Sequence, residues 1–105
     1  MSILIVDAEH GTTGVWLDGS PVDDLRAIGF SDKLQDDFKK WSHKFTDLAM
    51  TTTDDALSPS WIEFNQAGHD LAVRLKQECK DRFDVEYRYY KDNSCVETAE
   101  IISLI

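Results

Sequence analysis

The sequence has few of the residues and patterns that mark an active site or a metal site. Its 105 residues include two cysteines, two prolines and three histidines. It has no glycine-rich phosphate loop, nucleophile elbow, His-Glu-x-x-His pair or Cys-x-x-Cys pair. These absences predict a protein that is not an enzyme and that needs neither a metal nor another cofactor.

Long hydrophobic runs are also missing, and no stretch approaches the about 18 apolar residues that a membrane span requires. The run Ile3–Val6 has no basic flank and is followed at once by Asp7 and Glu9, so it predicts a strand rather than a signal peptide. We therefore expect a cytoplasmic protein. In that reducing compartment Cys79 and Cys95 are expected to be free thiols that serve as small apolar residues.

Positive charge is scarce. Twenty acidic residues stand against 11 basic ones, which gives a formal net charge of -9. Nucleic-acid binding depends on Lys and Arg displacing counterions, and anionic membranes attract the same residues, so both partners are predicted to be excluded. A basic protein, a cation or simple solubility remain as explanations for the acidic composition.

The length corresponds to one domain, residues 1–105. Two helices are predicted from apolar spacing. The first, capped by Ser31 and about 18 residues long, carries an apolar stripe: Leu34, Phe38, Trp41, Phe45 and Leu48. Its opposite face carries Asp32, Asp36, Lys39, His43 and Asp47. A polar loop, 51–58, leads to the second helix, which has Pro59 in its first turn and is expected to end near Lys80 or Asp81. Its apolar side comprises Trp61, Phe64, Gly68, Leu71, Leu75 and Cys79.

Strands are predicted before and after the helices. Residues 2–7 and 15–17 form the expected hairpin, and a single helical turn between Val22 and Gly29 follows it. Val85, Tyr87 and Tyr89 alternate with other residues and indicate a third strand, 91–94 is a turn, and 101–105 is the expected fourth strand. The predicted fold class is therefore α+β, a small, mostly antiparallel sheet of order ββααββ with two amphipathic helices packed on one face.

The negative charge is concentrated near the start of the chain. Residues 1–37 hold eight acidic and two basic residues, which accounts for -6 of the net charge of -9. A surface of one sign repels itself but steers partners of the opposite charge. The candidate partner-binding residues are Asp18, Asp23, Asp24, Asp32 and Asp36. Chance asymmetry in a soluble protein is the alternative explanation.

Several core and turn segments resemble a known group of proteins: 19–25, 28–31, 61–64 and 85–87, with Trp41, Phe45, Gly68, Leu71, Ala72 and Leu75. Over roughly residues 14–90 the chain resembles small bacterial immunity proteins, the partners of polymorphic and contact-dependent growth-inhibition toxins. The resemblance implies an inhibitor whose acidic surface blocks a basic toxin domain, often a nuclease, by imitating nucleic-acid charge.

Two further interpretations stay open. A regulatory or adaptor protein could bind another cytosolic protein by extending the sheet at its last strand. A small enzyme would require histidine, cysteine or carboxylate groups to converge in a pocket, although the three histidines are predicted in a turn (His10) and on solvent-facing helix positions (His43 and His69).

Overall fold

Three strands and a short 3-10 helix form the first part of the chain. The computed structural model describes residues 2–9, 11–51, 59–89 and 98–103. Strand β1 is Ile3–Val6, β2 is Val15–Leu17 and β3 is Ser20–Pro21. β1 and β2 pair antiparallel, which confirms the predicted hairpin. The predicted helical turn is a 3-10 helix, Leu25–Ile28, which ends at Gly29 with a φ of 94°.

Two long helices follow, α1 (Asp32–Thr51) and α2 (Pro59–Cys79). The Ser31 hydroxyl accepts a hydrogen bond from the backbone N–H of Leu34 at 3.2 Å, so Ser31 caps α1 as predicted. The same hydroxyl donates to Glu78 at 2.7 Å, and the Ser31 backbone N–H donates to the other oxygen of that carboxylate. The start of α1 is therefore fastened to the end of α2.

The predicted helix faces are confirmed. Leu34, Phe38 and Trp41 of α1 are buried, while Phe45 and Leu48 are partly buried against the core. On α2, Phe64, Leu71, Ala72, Leu75 and Cys79 are buried. The residues predicted for the outer face of α1 are all exposed: Asp32, Asp36, Lys39, His43 and Asp47. Full burial of each large apolar side chain contributes roughly 1.5–3 kcal/mol, so this core supplies most of the stabilisation.

Gly68 lies where α2 meets both α1 and the sheet. A Cβ atom at this position would be 2.6 Å from Trp41 Cζ2 of α1 and 2.5 Å from Tyr87 Oη. The Tyr87 hydroxyl donates to the backbone carbonyl of Asn65 at 2.8 Å. Gly68 therefore marks a close approach of α2 to both α1 and the sheet.

The sheet is mixed, which corrects part of the predicted architecture. Strands β4 (Asp84–Tyr89) and β5 (Thr98–Ile101) complete five strands in the order β3-β2-β1-β4-β5. The central pair, β1 and β4, is parallel, and the other three pairings are antiparallel. The chain between β1 and β4 contains β2, β3 and both helices, and so long a connection allows these neighbouring strands to run in the same direction. β3 was not among the predicted strands.

The last strand begins earlier than predicted. A strand over 101–105 was expected, whereas β5 spans Thr98–Ile101 and is followed by buried Ile102. The Ile102 N–H donates to the Val85 carbonyl at 2.9 Å and prolongs the pairing with β4. Several predictions lie outside the described residues: those for 52–58, 91–94, 104–105, His10 and Cys95.

Candidate functional site

A buried glutamine positions the first part of the candidate site. Gln35, in the second turn of α1, is 2% exposed. Its side-chain oxygen accepts from the Leu25 N–H at 2.6 Å, and its amide nitrogen donates to the Asp23 carbonyl at 3.1 Å. Buried backbone groups need such partners, so Gln35 fixes the segment 23–25 against the start of α1.

Asp24 and Asp32 meet around one guanidinium group. Asp24 caps the 3-10 helix, because its carboxylate accepts from the Arg26 N–H at 3.0 Å. It also accepts from Arg26 Nε at 2.9 Å, and this side-chain hydrogen bond holds the pKa of Asp24 below its ordinary value. Arg26 Nη1 lies 3.6 Å from the Asp32 carboxylate. Local folding thus brings together acids that are eight residues apart in the sequence.

Asp36 extends the same surface by one helical turn, since residues four apart share a helix face. We call Asp23, Asp24, Asp32 and Asp36 the acidic patch. All four are exposed. Arg26 pairs with Asp24 and Asp32, and Lys39 is close enough to help lower the pKa of Asp24, so these four acids and two bases carry a net formal charge of -2. The acidic patch comprises four of the five residues predicted from the sequence.

Asp37 does not contribute to the acidic patch in the same way. Its carboxylate accepts from Arg74 of α2 at 2.8 Å and from Lys33 at 3.3 Å, and its side chain is only 18% exposed. The hydrogen bond from Arg74, helped by Lys33, lowers the pKa of Asp37. Asp37 therefore holds the two helices together, whereas Asp36 faces solvent.

Asp18 lies apart from the acidic patch. It belongs to the turn between β2 and β3, and its carboxylate accepts from the Ile3 N–H at 3.3 Å. Its own N–H donates to the Ile3 carbonyl at 3.2 Å. The hydrogen bonds of Asp18 thus attach it to the beginning of β1, and no described contact joins it to the other four predicted residues.

A polar cleft adjoins the acidic patch and was not foreseen. It has a volume of about 240 Å³ and shares Asp23 with the patch; its lining is Gly11, Thr12, Thr13, Asp23, Lys39, Ser42, His43 and Thr46. The buried Ser42 hydroxyl donates to the Thr12 carbonyl, and the Thr13 hydroxyl donates to the Val22 carbonyl at 2.6 Å. Because Ser42 directs its proton to backbone oxygens, the cleft does not present it as an activated nucleophile.

The remaining reactive groups are dispersed. Cys79 is buried, and this burial raises the pKa of its thiol. His69 is partly exposed, with Nε2 3.6 Å from Glu100, while His43 is exposed on α1. Among the residues that the structure describes, no three His, Cys, Asp or Glu side chains are placed to hold a metal ion.

Two further results do not depend on the candidate site. No helix within the described part of the chain is both long and apolar enough to cross a membrane. Comparison of the chain with protein-family models, with curated proteins and with solved structures finds no match in any of the three.

Proposed function

We propose that this protein is a cytoplasmic inhibitor of the immunity type, which binds and neutralises a basic toxin domain. The acidic patch carries this proposal. Four exposed carboxylates lie at the start of α1 and in the segment before it, with Arg26 among them and Lys39 nearby. Such a surface accelerates the approach of a basic partner and disfavours acidic ones.

Preorganisation of the acidic patch adds support. Gln35 fixes the backbone at Asp23 and Leu25, and Asp24 is held by its capping bonds to Arg26. Less conformational entropy is lost when a partner binds to groups that are already ordered. A nuclease active site, which is built to attract phosphates, is one basic surface that such carboxylates could cover.

Charge reversal tests the proposed function. Asp32→Lys combined with Asp36→Lys should preserve the fold because both side chains are exposed. The double variant should slow association with a basic toxin domain, sought among the products of the adjoining genes, by about tenfold or more. Asp47→Lys is the control. Asp47 is also exposed on α1, and it lies about 16 Å beyond Asp36 along the helix axis. The control variant should change the association rate much less.

Asp23 and Asp24 need different substitutions. Asp23→Lys reverses an exposed charge, whereas Asp24→Asn removes the charge and keeps a side-chain oxygen for the cap. The effects of these changes and of the α1 reversals should add if the carboxylates meet separate groups of the partner. Rescue of toxin-expressing cells gives the biological readout. Wild-type protection by all these variants would contradict a role for the acidic patch.

A second candidate function is an adaptor that extends its sheet, and the edge position of β5 favours it. Ile102 N–H points to β4, so by strand alternation the backbone groups of Ala99 and Ile101 point away from β4. Ala99→Pro removes one outward N–H and should abolish strand addition while leaving the β4 pairing intact. Unchanged partner binding by this variant would argue against the adaptor.

A further inference from the structure

The face of the sheet that is turned away from the helices carries a continuous cross-strand row. The register pairs Pro21 with Trp16, Trp16 with Ile5, Ile5 with Glu86 and Glu86 with Ile101. Side chains that are directly opposite each other on paired strands share one face. The row therefore crosses all five strands, and four inter-strand steps make it about 19 Å long.

This row lies opposite the core. The alternate residues Leu4, Val6, Val85 and Tyr87 are buried with the helices. Ile5 and Trp16 are partly buried and lie outside that core cluster among the described residues, and Ile101 is 64% exposed. We call Trp16, Ile5, Glu86 and Ile101, with Pro21 at the edge, the open sheet face.

Acidic groups surround the apolar centre of this face. Asp84 pairs in register with Ile3, beside the row, and Asp18 binds the Ile3 N–H at the same end. Asp7 follows β1 at the other end, where its N–H donates to the Gly14 carbonyl. Glu86 lies within the row, 2.6 Å from the Arg88 guanidinium. Of the described charged residues named in this paragraph, four are acidic and one, Arg88, is basic.

We propose that the open sheet face is the contact surface for a basic protein partner, with Trp16, Ile5 and Ile101 as its apolar centre. Aromatic side chains at the centre of an interface carry most of the binding free energy, and a polar rim excludes water. The row spans much of the width of an interface that buries about 800 Å² per partner. Charge complementarity favours a basic protein as the partner on this face. A second copy of the chain would bring two acidic rims together, and an anionic membrane would be repelled.

This inference rests on the proposed function for the basic character of the partner. It gives different roles in binding to the acidic patch and to the open sheet face. The carboxylates of the acidic patch speed association through charged contacts at the edge of the interface, whereas the apolar contacts of the open sheet face slow dissociation. The open sheet face also accounts for Asp18, because this predicted residue lies at the rim of that face rather than in the acidic patch.

A peptide probe tests the face without requiring the toxin. The probe is an amphipathic lysine–leucine helical peptide, and its control has the same lysines with serine in place of leucine. Titration of the labelled full chain with the probe should shift the Trp16 indole N–H and the Ile5 methyl resonances, and the control peptide should shift them far less. Shifts confined to the acidic patch, or to the backbone N–H groups of Ala99 and Ile101 at the sheet edge, would overturn the proposal. So would equal shifts with both peptides.

Two matched isoleucine variants complete the test, with a basic toxin domain sought among the products of the adjoining genes as the partner. Ile101→Ser should raise the dissociation rate about tenfold and leave association nearly unchanged. Ile62→Ser, at a residue of α2 that is 54% exposed, should change neither rate. Equal dissociation rates for the two variants would overturn the inference while leaving the proposed function standing. If Ile101→Ser instead abolishes self-association seen by sedimentation, the occupant is a second copy and the basic-partner proposal is wrong.

The proposed function fails differently. It fails if the Asp32→Lys and Asp36→Lys double variant associates as fast as wild type, or if the adjoining gene product does not bind at all. Neither result would be produced by an error in assigning the open sheet face, because the peptide titration reports on that face directly.

Discussion

The side-chain oxygen of Gln35 lies 2.6 Å from the backbone nitrogen of Leu25 and accepts its hydrogen bond inside the protein. The other end of the same amide donates to the Asp23 carbonyl. One side chain on α1 therefore satisfies two backbone groups of the segment that presents the acidic patch. Stability and the shape of the candidate site are linked at this residue.

Replacing Gln35 should therefore be costly. Gln35→Leu keeps the approximate volume but leaves the Leu25 N–H and the Asp23 carbonyl without a partner, which should lower the free energy of unfolding by about 1–3 kcal/mol. Gln66→Leu is the control, because Gln66 is exposed and bonds to Asp70 on its own helix. Its effect should stay within about 0.5 kcal/mol in a denaturant titration. Equal effects would mean that Gln35 does not hold the segment.

The two faces of α1 should differ sharply in their sensitivity. Phe38 is fully buried, so Phe38→Ala should cost about 3–5 kcal/mol through lost transfer free energy and a cavity. Asp36→Ala, on the exposed face, should change stability by at most about 0.5 kcal/mol. Guanidinium unfolding monitored by tryptophan fluorescence measures both, and similar costs would contradict the assigned faces.

Gly68 should not tolerate a methyl group, although alanine favours a helix. The added Cβ would lie within 3 Å of Trp41 and Tyr87, and overpacking of this kind costs about 1–3 kcal/mol. The gain in helix propensity of about 1 kcal/mol offsets only part of that cost. Thermal unfolding should show a net destabilisation for Gly68→Ala.

The exposed Ala67 provides the control for the previous substitution. Ala67→Gly should cost about 1 kcal/mol through propensity alone. If Gly68→Ala stabilises the protein by a similar amount, the close approach of α2 to Trp41 and Tyr87 is absent.

Asp37 should contribute to stability at neutral pH and lose that contribution in acid. Arg74 lowers the pKa of Asp37 in the folded state, so its ionised form stabilises the fold above the ordinary aspartate pKa of about 3.9. The contribution is lost as the pH falls through the lower folded-state pKa. Asp37→Asn should cost about 1 kcal/mol at pH 7, and the difference from wild type should vanish towards about pH 2.

Asp36→Asn controls for the loss of a carboxylate, since the described residues give Asp36 no ion pair. Its unfolding free energy should match wild type at both pH values. A constant cost of Asp37→Asn across the whole pH range would show that the ion pair with Arg74 is not its source.

Local patterns were sufficient to predict the helices. Leu34, Phe38 and Trp41 recur at helical spacing, and burial of that stripe follows directly from its period. Ser31 was recognisable as a cap because its hydroxyl acts on residues of its own helix. Such features depend on contacts between residues that are close in the sequence.

Pairings between distant segments were not predictable in this way. The parallel contact between β1 and β4 joins Ile3 to Asp84, and nothing in either strand alone specifies its partner. β3 is two residues long and contains Pro21, a residue that argues against a strand, so its pairing at the sheet edge was not predicted.

The buried polar residues of α1 follow a spacing that is visible in the sequence. Gln35 and Ser42 are seven residues apart, at the same heptad position beside the apolar stripe, and both are buried with their side chains bonded to distant backbone. Polar residues at that spacing indicate a segment packed across the helix. Which segment it is, and the cleft that results, depend on the tertiary fold.

The measurement that tests the central claim most directly is an association rate at two salt concentrations. A basic toxin domain sought among the products of the adjoining genes is the partner, and wild type is compared with the Asp32→Lys and Asp36→Lys double variant. Raising salt from 0.1 M to 1 M shortens the Debye length from about 10 Å to about 3 Å, so wild-type association should slow markedly. The double variant should associate about tenfold more slowly at low salt and respond less to added salt. Equal rates for the two proteins, or a wild-type rate independent of salt, would contradict an acidic docking surface for a basic partner.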